Sequence, residues 1–353
     1  MKRFGNLFDQ ICELENLYQA YRVCLRGKRL KRDVLPVTFN LSAELLQLQR
    51  AMRSGSYRTG PYYGFYVYEP KKRLVQALPF RDRIVQQALC QVITRPIERS
   101  FIYDTYACRI QKGTHAGSCR LQHFLRSAQD RWGRVWCLQC DVRSYFQSID
   151  HQILQRLFEE KIKCRRTLDL IRVITDSNGQ TVGIPIGNLL SQLSANLYLD
   201  GLDHYMKEKL KIRYYIRYMD DFCLIHGGKK YLGYLWRVIE DYLREERLLE
   251  LNQKTALFPI AQGVDFLGYR TWPDHKLLRK RSVKRMRRKM RAMARHYAAG
   301  QIPLDRVTAS IRSWVAHCRH ANAYHLREKV LKTCKFQREN TPLSPTDHLK
   351  YSQ

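Results

Sequence analysis

Tyr214-Tyr215-Ile216-Arg217-Tyr218-Met219-Asp220-Asp221-Phe222-Cys223-Leu224-Ile225 sets two adjacent carboxylates in the middle of an apolar, β-prone run. Consecutive side chains of a straight strand point to opposite faces, so the run predicts two strands joined by a tight turn at Met219-Asp220-Asp221. A third acidic residue, Asp141, ends the apolar run Val135-Trp136-Cys137-Leu138-Gln139-Cys140 about eighty residues upstream. Taken alone, Asp141 reads as a strand-end cap. Brought beside the turn, it makes a cluster in which like charges raise one another's pKa unless something positive lies between them, and a divalent cation removes that conflict. In a basic chain, two cations held by three aspartates suit in-line attack of a hydroxyl on a nucleoside triphosphate.

The chain is basic throughout. Its 353 residues hold 63 Lys or Arg against 32 Asp or Glu, a formal charge of +31. Such a field concentrates polyanions, and counterion release makes nucleic acid the expected partner. The length suggests two or three subdomains. No apolar stretch is long enough to span a bilayer and no leader precedes a cleavage site, so a soluble, cytosolic (bacterial or phage-encoded) protein is expected. Eleven irregularly spaced cysteines argue for reduced thiols. Cys137 and Cys140 form the only CxxC, read as buried strand thiols, whereas His317, Cys318 and His320 read as a solvated helix face.

Along the chain, residues 5 to 55 read as helical up to Ser54-Gly55. Phe65-Tyr66-Val67-Tyr68 is β-prone, Pro70-Lys71-Lys72-Arg73 leads into a second apolar run, and Asp82 to Val92 is helical; a basic, aromatic hairpin here would make a nucleic-acid wall. Further on come a helix from His151 to Ile162, a loop at Gly183–Gly187, a long amphipathic helix from Leu190 to Leu210, a helix from Tyr231 to Glu246, and short strands near Leu257 and Phe266. That order predicts an α+β arrangement, an antiparallel sheet backed by helices on one face and open to substrate on the other. From Lys276 to Tyr297 stand eleven Lys or Arg and no acidic residue, with Val283, Met286, Met290, Met293 and Tyr297 at steps of three and four. This is a cationic helix with one apolar stripe, suited to phosphate contact. Pro342 onward reads as a polar tail.

Asp141-Val142-Arg143-Ser144-Tyr145-Phe146 and Tyr218-Met219-Asp220-Asp221 resemble the two catalytic palm motifs of reverse transcriptases. Tyr106 to Gly117, with Arg109 and Lys112, resembles the triphosphate-binding fingers of bacterial members; Asn252-Gln253-Lys254-Thr255 resembles the lysine-bearing segment after the palm, and Val264 to Tyr269, with Phe266, Leu267 and Gly268, the primer grip. Ile184-Pro185-Ile186-Gly187 followed by Ser191-Gln192 is similar to diversity-generating retroelement enzymes; group II intron and retron enzymes usually carry Gln-Gly and Ser-Pro there. Trp314 to Leu326 looks like that subfamily's thumb.

The resemblance implies a right-hand polymerase fold: an N-terminal helical extension (1–70), fingers (71–135, with 151–182 returning to the fingers/palm boundary), a palm with an RRM-like antiparallel sheet (136–272), and a basic helical thumb with its tail (273–353). It implies that Asp141, Val142, Asp220 and Asp221 hold two Mg²⁺, with Mn²⁺ as substitute, and that Arg109 and Lys112 clamp the β- and γ-phosphates. Lys254 either protonates the leaving pyrophosphate or makes a generic phosphate contact. Phe146 is either a steric gate against the ribose 2′-hydroxyl or a core residue. Ile186 replaces a glutamine that holds the nascent pair in more faithful relatives, or it is a packed loop residue with fidelity set elsewhere. Tyr218, Met219 and Gln192 fall at the substrate, and Lys280, Lys284 and Arg288 on nucleic acid. The implied activity is error-prone, adenine-mutagenised cDNA synthesis from a template-repeat RNA. Its implied partners are flanking structured RNA, the cDNA product and a small, basic, helical, pentameric accessory variability protein. The rivals are a retron, group II intron-like or defence-associated enzyme, and a non-catalytic RNA-binding protein on the same scaffold. Lack of a long maturase region disfavours the intron reading, and three intact aspartates disfavour the non-catalytic one.

Overall fold

The computed structural model describes residues 3–68 and 73–338, so Pro70-Lys71-Lys72 and the tail from Pro342 lie outside the described residues. Two compact units emerge, Met1–Gly117 with Trp132–Phe258, and Ser118–Arg131 with the chain from Pro259 onward.

In the first unit the N-terminal stretch is not one near-continuous helix. It forms Phe8–Cys12, Leu14–Leu25, Leu35–Phe39 and Leu41–Arg53. Glu13 is extended between the first two (φ −58°, ψ 135°), Gly27 turns left-handed, and Pro36 opens the third, so backbone chemistry interrupts the leucine periodicity. The strands β1 (Tyr63–Val67) and β2 (Arg73–Ala77) pair antiparallel, and every residue of β1 is exposed. Phe80–Glu98 is helical, overrunning the expected Asp82–Val92 at both ends.

The central sheet contains β3 (Trp136–Asp141), β4 (Tyr215–Tyr218), β5 (Asp221–His226) and β6 (Ala256–Pro259), in the order β4-β5-β3-β6. The β3/β5 and β4/β5 pairs are antiparallel, giving the α+β class read from the sequence. Leu138, Cys140, Phe222 and Leu224 join the core formed with helices His151–Lys161, Leu189–Tyr198 and Lys229–Arg247. Asp150 caps the first of these by accepting from the Ile153 amide at 2.9 Å. The predicted long amphipathic helix Leu190–Leu210 is instead Leu189–Tyr198, Asp200–His204 and a π-helical turn, Tyr205–Lys209. Residues 193–200 are buried without a solvent face, so this segment runs through the core rather than over it. Cys137, Cys140 and Cys223 are buried in the sheet, and desolvation holds the thiols of Cys140 and Cys223 well above their ordinary pKa. The CxxC is packing.

The second unit carries an antiparallel meander, β7 (Val264–Phe266), β8 (Tyr269–Thr271) and β9 (Lys276–Leu278). Helices Lys280–Ala298, Leu304–Cys318 and Tyr324–Leu331 follow. Val283, Met286, Met290 and Met293 are buried with Trp314 and Cys318, the stripe the sequence predicted, with Tyr297 packed at its edge. His317 and Cys318 are not a solvated face: Cys318 is 2% exposed. The Tyr269 ring lies 4.7 Å from that of His317 and its hydroxyl 2.8 Å from His317 Nδ1; only His320 of the trio is exposed. Among the described residues no helix is long and apolar enough to cross a membrane.

Candidate active site

Antiparallel register sets Asp141 of β3 directly opposite Asp221 of β5, and Asp221 opposite Tyr218 of β4. Opposed residues share a face, so the register brings the two carboxylates together at the end of β3 and the start of β5. The β4–β5 connection is the two-residue loop Met219-Asp220, with buried Met219 at φ 59°. The Val142 amide donates to the Asp220 carbonyl at 3.3 Å, and the Asn252 amide to the Asp141 carbonyl at 2.7 Å. Burial raises the Asp220 pKa, and the charge of Asp141 adds to it, while Arg73 and Arg217 pull the other way.

Among the described residues, no group of three or more His, Cys, Asp or Glu is gathered closely enough to hold a metal ion. The sheet register opposes two carboxylates and leaves Asp220 in the turn. Their donor chemistry still suits a hard cation, because two facing carboxylates and a third in the adjoining turn offer oxygen ligands at the ends of the two interior strands.

Immediately after Asp141 the backbone turns at Ser144 (φ 46°), burying Tyr145 and leaving Phe146 half-buried, with the two rings edge-on at 5.8 Å. The Ile184 amide donates to the Phe146 carbonyl at 2.8 Å and the Gly183 amide to the Ile149 carbonyl at 2.8 Å. At its far end the same loop accepts from the Gln76 amide through Ile186 O at 3.0 Å. Gly187 (φ 127°) has no room for a Cβ, which would sit 2.9 Å from the Gln76 carbonyl. Residues 183–187 therefore tie the Phe146 segment to β2, with the Ile186 side chain half-buried between them in sequence. Gln192 is exposed at the start of helix Leu189–Tyr198.

Arg109 is tied to nearby backbone carbonyls. Its guanidinium donates to the carbonyls of Ile102 (2.9 Å), Thr105 (3.1 Å) and Glu98 (3.5 Å) and lies over Phe101. That fork shapes its own loop. Lys112 donates to the Tyr103 carbonyl at 2.9 Å and sits 3.4 Å from the Tyr103 ring centroid. Exposed Arg73, in β2, is a cation whose charge, with that of buried Arg217, reaches Asp220. Exposed Lys254 follows the turn in which its amide donates to Asn252 Oδ1 at 3.1 Å, two residues from the Asp141 carbonyl contact.

Sequence reasoning missed Arg217. This side chain is fully buried, its Nε 2.7 Å from Asp203 Oδ1, and its Nη1 donates to the Met219 carbonyl at 3.0 Å. A charged residue inside an apolar strand was the available signal, since such a group is almost never fully buried unless paired.

In the second unit, Phe266 and Tyr269 pair across the two-residue loop Leu267-Gly268, both at positive φ (53° and 93°). Lys280, Lys284 and Arg288 are exposed at steps of four along helix Lys280–Ala298, one cationic row opposite the buried methionines.

Residues 69–271 match the family described as reverse transcriptase (RNA-dependent DNA polymerase). This is more than half of the chain, which therefore belongs to that family. Protein YkfC of Escherichia coli is 26% identical over 333 residues, covering 79% of this chain and 84% of that protein. The group II intron-encoded protein LtrA of Lactococcus lactis is 23% identical over 274 residues, 72% of this chain and 45% of LtrA. The chain thus spans under half the length of that intron-encoded relative. Among solved structures, apo telomerase from Candida tropicalis truncated from its C-terminal domain superposes with a TM-score of 0.50 at 12% identity, covering 65% of this chain and 59% of that one. This likeness concerns the fold alone.

Proposed function

We propose that the chain is the RNA-directed DNA polymerase of a diversity-generating retroelement, making adenine-mutagenised cDNA from a template-repeat RNA. The observation that carries the polymerase chemistry is the opposition of Asp141 and Asp221 beside the Asp220 turn. Asp141, Asp220 and Asp221 would hold divalent cations, which when bound lower the pKa of the primer 3′-hydroxyl and neutralise the triphosphate. Arg73, whose charge acts on Asp220, would meet that triphosphate, with Lys112 and Lys254 as further phosphate contacts. Phe146 excludes the ribose 2′-hydroxyl, so Phe146→Ala should incorporate ribonucleotides in primer extension; unchanged sugar selectivity would remove that role. The basic row Lys280, Lys284 and Arg288 contacts the nucleic-acid backbone, and Leu267-Gly268 supports the primer.

The mutagenic reading rests on Ile186. Its backbone is held at both ends of the 183–187 loop, but its side chain can neither donate nor accept where more faithful relatives carry an amide. A missing buried hydrogen bond is worth about 1–3 kcal/mol, enough to change discrimination between right and wrong pairs by about five-fold to over 100-fold. The test is to co-express the chain with template RNA, with and without the accessory variability protein, and sequence the cDNA. Substitutions concentrated at template adenines, reduced by Ile186→Gln, support the reading. The intron-encoded relative favours a second one, a group II intron-like enzyme, and uniformly faithful cDNA that Ile186→Gln leaves unaltered would favour it.

A further inference from the structure

We infer that Arg217 is a positioning residue for the carboxylate turn, its buried ion pair with Asp203 fixing the loop that presents Asp220 and Asp221. The inference rests on reading Asp141, Asp220 and Asp221 as the metal-holding groups. Both partners are completely buried, and they are joined by two contacts, Nε to Oδ1 at 2.7 Å and Nη2 to Oδ2 at 2.5 Å. Asp203 is itself fixed by the Tyr215 hydroxyl at 2.7 Å and the Thr105 hydroxyl at 3.0 Å. With the carboxylate immobilised and bidentate, the guanidinium plane is set, and its remaining donors can point in only one direction each.

Those donors reach the site. Nη1 donates to the Met219 carbonyl at 3.0 Å and Nη2 to the Asn196 carbonyl at 3.1 Å. Met219 is held at φ 59°, a conformation an L-residue adopts only when its surroundings impose it. The hydrogen bond to its carbonyl is that imposition. Asn196 lies on helix Leu189–Tyr198, which begins two residues after Gly187 and carries Gln192. The backbone of Arg217 completes the hub, because its amide donates to the Asp104 carbonyl and its carbonyl accepts from the Tyr106 amide, both at 3.0 Å. Asn196 also donates to the Ala107 carbonyl at 2.8 Å. One residue thus joins the carboxylate turn, the Asp104–Lys112 loop and the Gln192 helix. Lysine would keep the charge but has no fork, so it cannot bond Asp203 twice and still reach Met219.

The experiment compares wild type, Arg217→Lys and the double variant Arg217→Met/Asp203→Leu in three measurements. These are thermal unfolding, Mn²⁺ binding to nucleic-acid-free protein by electron paramagnetic resonance, and steady-state primer extension. An apolar pair of similar volume can replace a buried ion pair without loss of the fold, so the double variant should melt cooperatively. Both variants should bind Mn²⁺ about ten-fold more weakly and lose roughly 100-fold in kcat, with the dNTP KM little changed, as expected when reacting groups shift by about 1 Å. Folded variants with wild-type Mn²⁺ affinity and kcat would overturn the inference. Should the double variant fail to fold, Arg217→Lys decides; should that also fail, Arg217 supports the fold and not the turn, which overturns it as well. Wild-type protein that neither binds Mn²⁺ nor extends a primer would instead overturn the reading of the three aspartates.

Discussion

Two hairpins in this protein make the same tight connection with different support. Across Met219-Asp220 the strands β4 and β5 are joined by a loop in which buried Met219 carries the positive φ. Across Leu267-Gly268 the strands β7 and β8 are joined by a loop with positive φ at both positions, one of them glycine. Two-residue hairpins favour glycine because a Cβ in the left-handed region costs about 1–2 kcal/mol. The second turn follows that local rule at Gly268 and departs from it at Leu267 (φ 53°). The first has no glycine, and a buried guanidinium donates to the Met219 carbonyl. One turn draws part of its geometry from a glycine, whereas the other takes a buried tertiary hydrogen bond and leaves its second position to an acidic side chain.

The sharpest way to break this contrast is Asp220→Asn. If the first turn exists for chemistry, the variant should lose at least about 1,000-fold in dNTP incorporation, several kcal/mol of transition-state stabilisation. Its melting temperature should hold or rise, because a carboxylate whose charge is disfavoured by burial has been removed. A variant that polymerises normally, or that simply unfolds, would erase the distinction.

Gly268→Val tests the other side. Its Cβ would sit 3.4 Å from His317 Cε1, ordinary contact, so the cost is backbone strain at φ 93° rather than collision. Urea unfolding should report a loss of about 2 kcal/mol assigned to the second unit. No loss would mean that this turn, too, is dictated from outside.

The smallest effect comes from pH. His204 ends the short helix that carries Asp203, and its pKa is raised to about 9, first by its hydrogen bond to Asp200 and also by Glu208 and the Ser100 carbonyl. A raised folded-state pKa contributes stability that is complete below the ordinary value of 6.5 and disappears as pH climbs through about 9. Wild type should therefore lose about 1–2 kcal/mol across that window, and His204→Gln should lose much less. Equal slopes would detach the anchor of Arg217 from His204.

The residues that carry periodicity were legible in advance. The β4–β5 hairpin, the strand ending at Asp141 and the methionine stripe of helix Lys280–Ala298 all follow from alternation or helical spacing. What escaped was decided by long-range polar contacts. Arg217 looks like the polar member of an alternating strand, yet its partner lies fourteen residues upstream in a segment read as one continuous helix. Arg109 carries the residue type wanted for phosphate, and its bonds to the Ile102 and Thr105 carbonyls are not visible in the motif that contains it. Arg73 attracted no role because nothing local marks a charge that acts on a carboxylate far along the chain.

The clamp at Gly187 has an evolutionary corollary. Since the Ile186 carbonyl and the Gln76 amide share one hydrogen bond, and Arg73 stands three residues earlier on that strand, a mutation that shifts the loop drags the cation with it. On the roles proposed for Ile186 and Arg73, copying accuracy and nucleotide affinity would be pleiotropic, and a lineage would not adjust its error rate at this loop without retuning how it holds the incoming monomer.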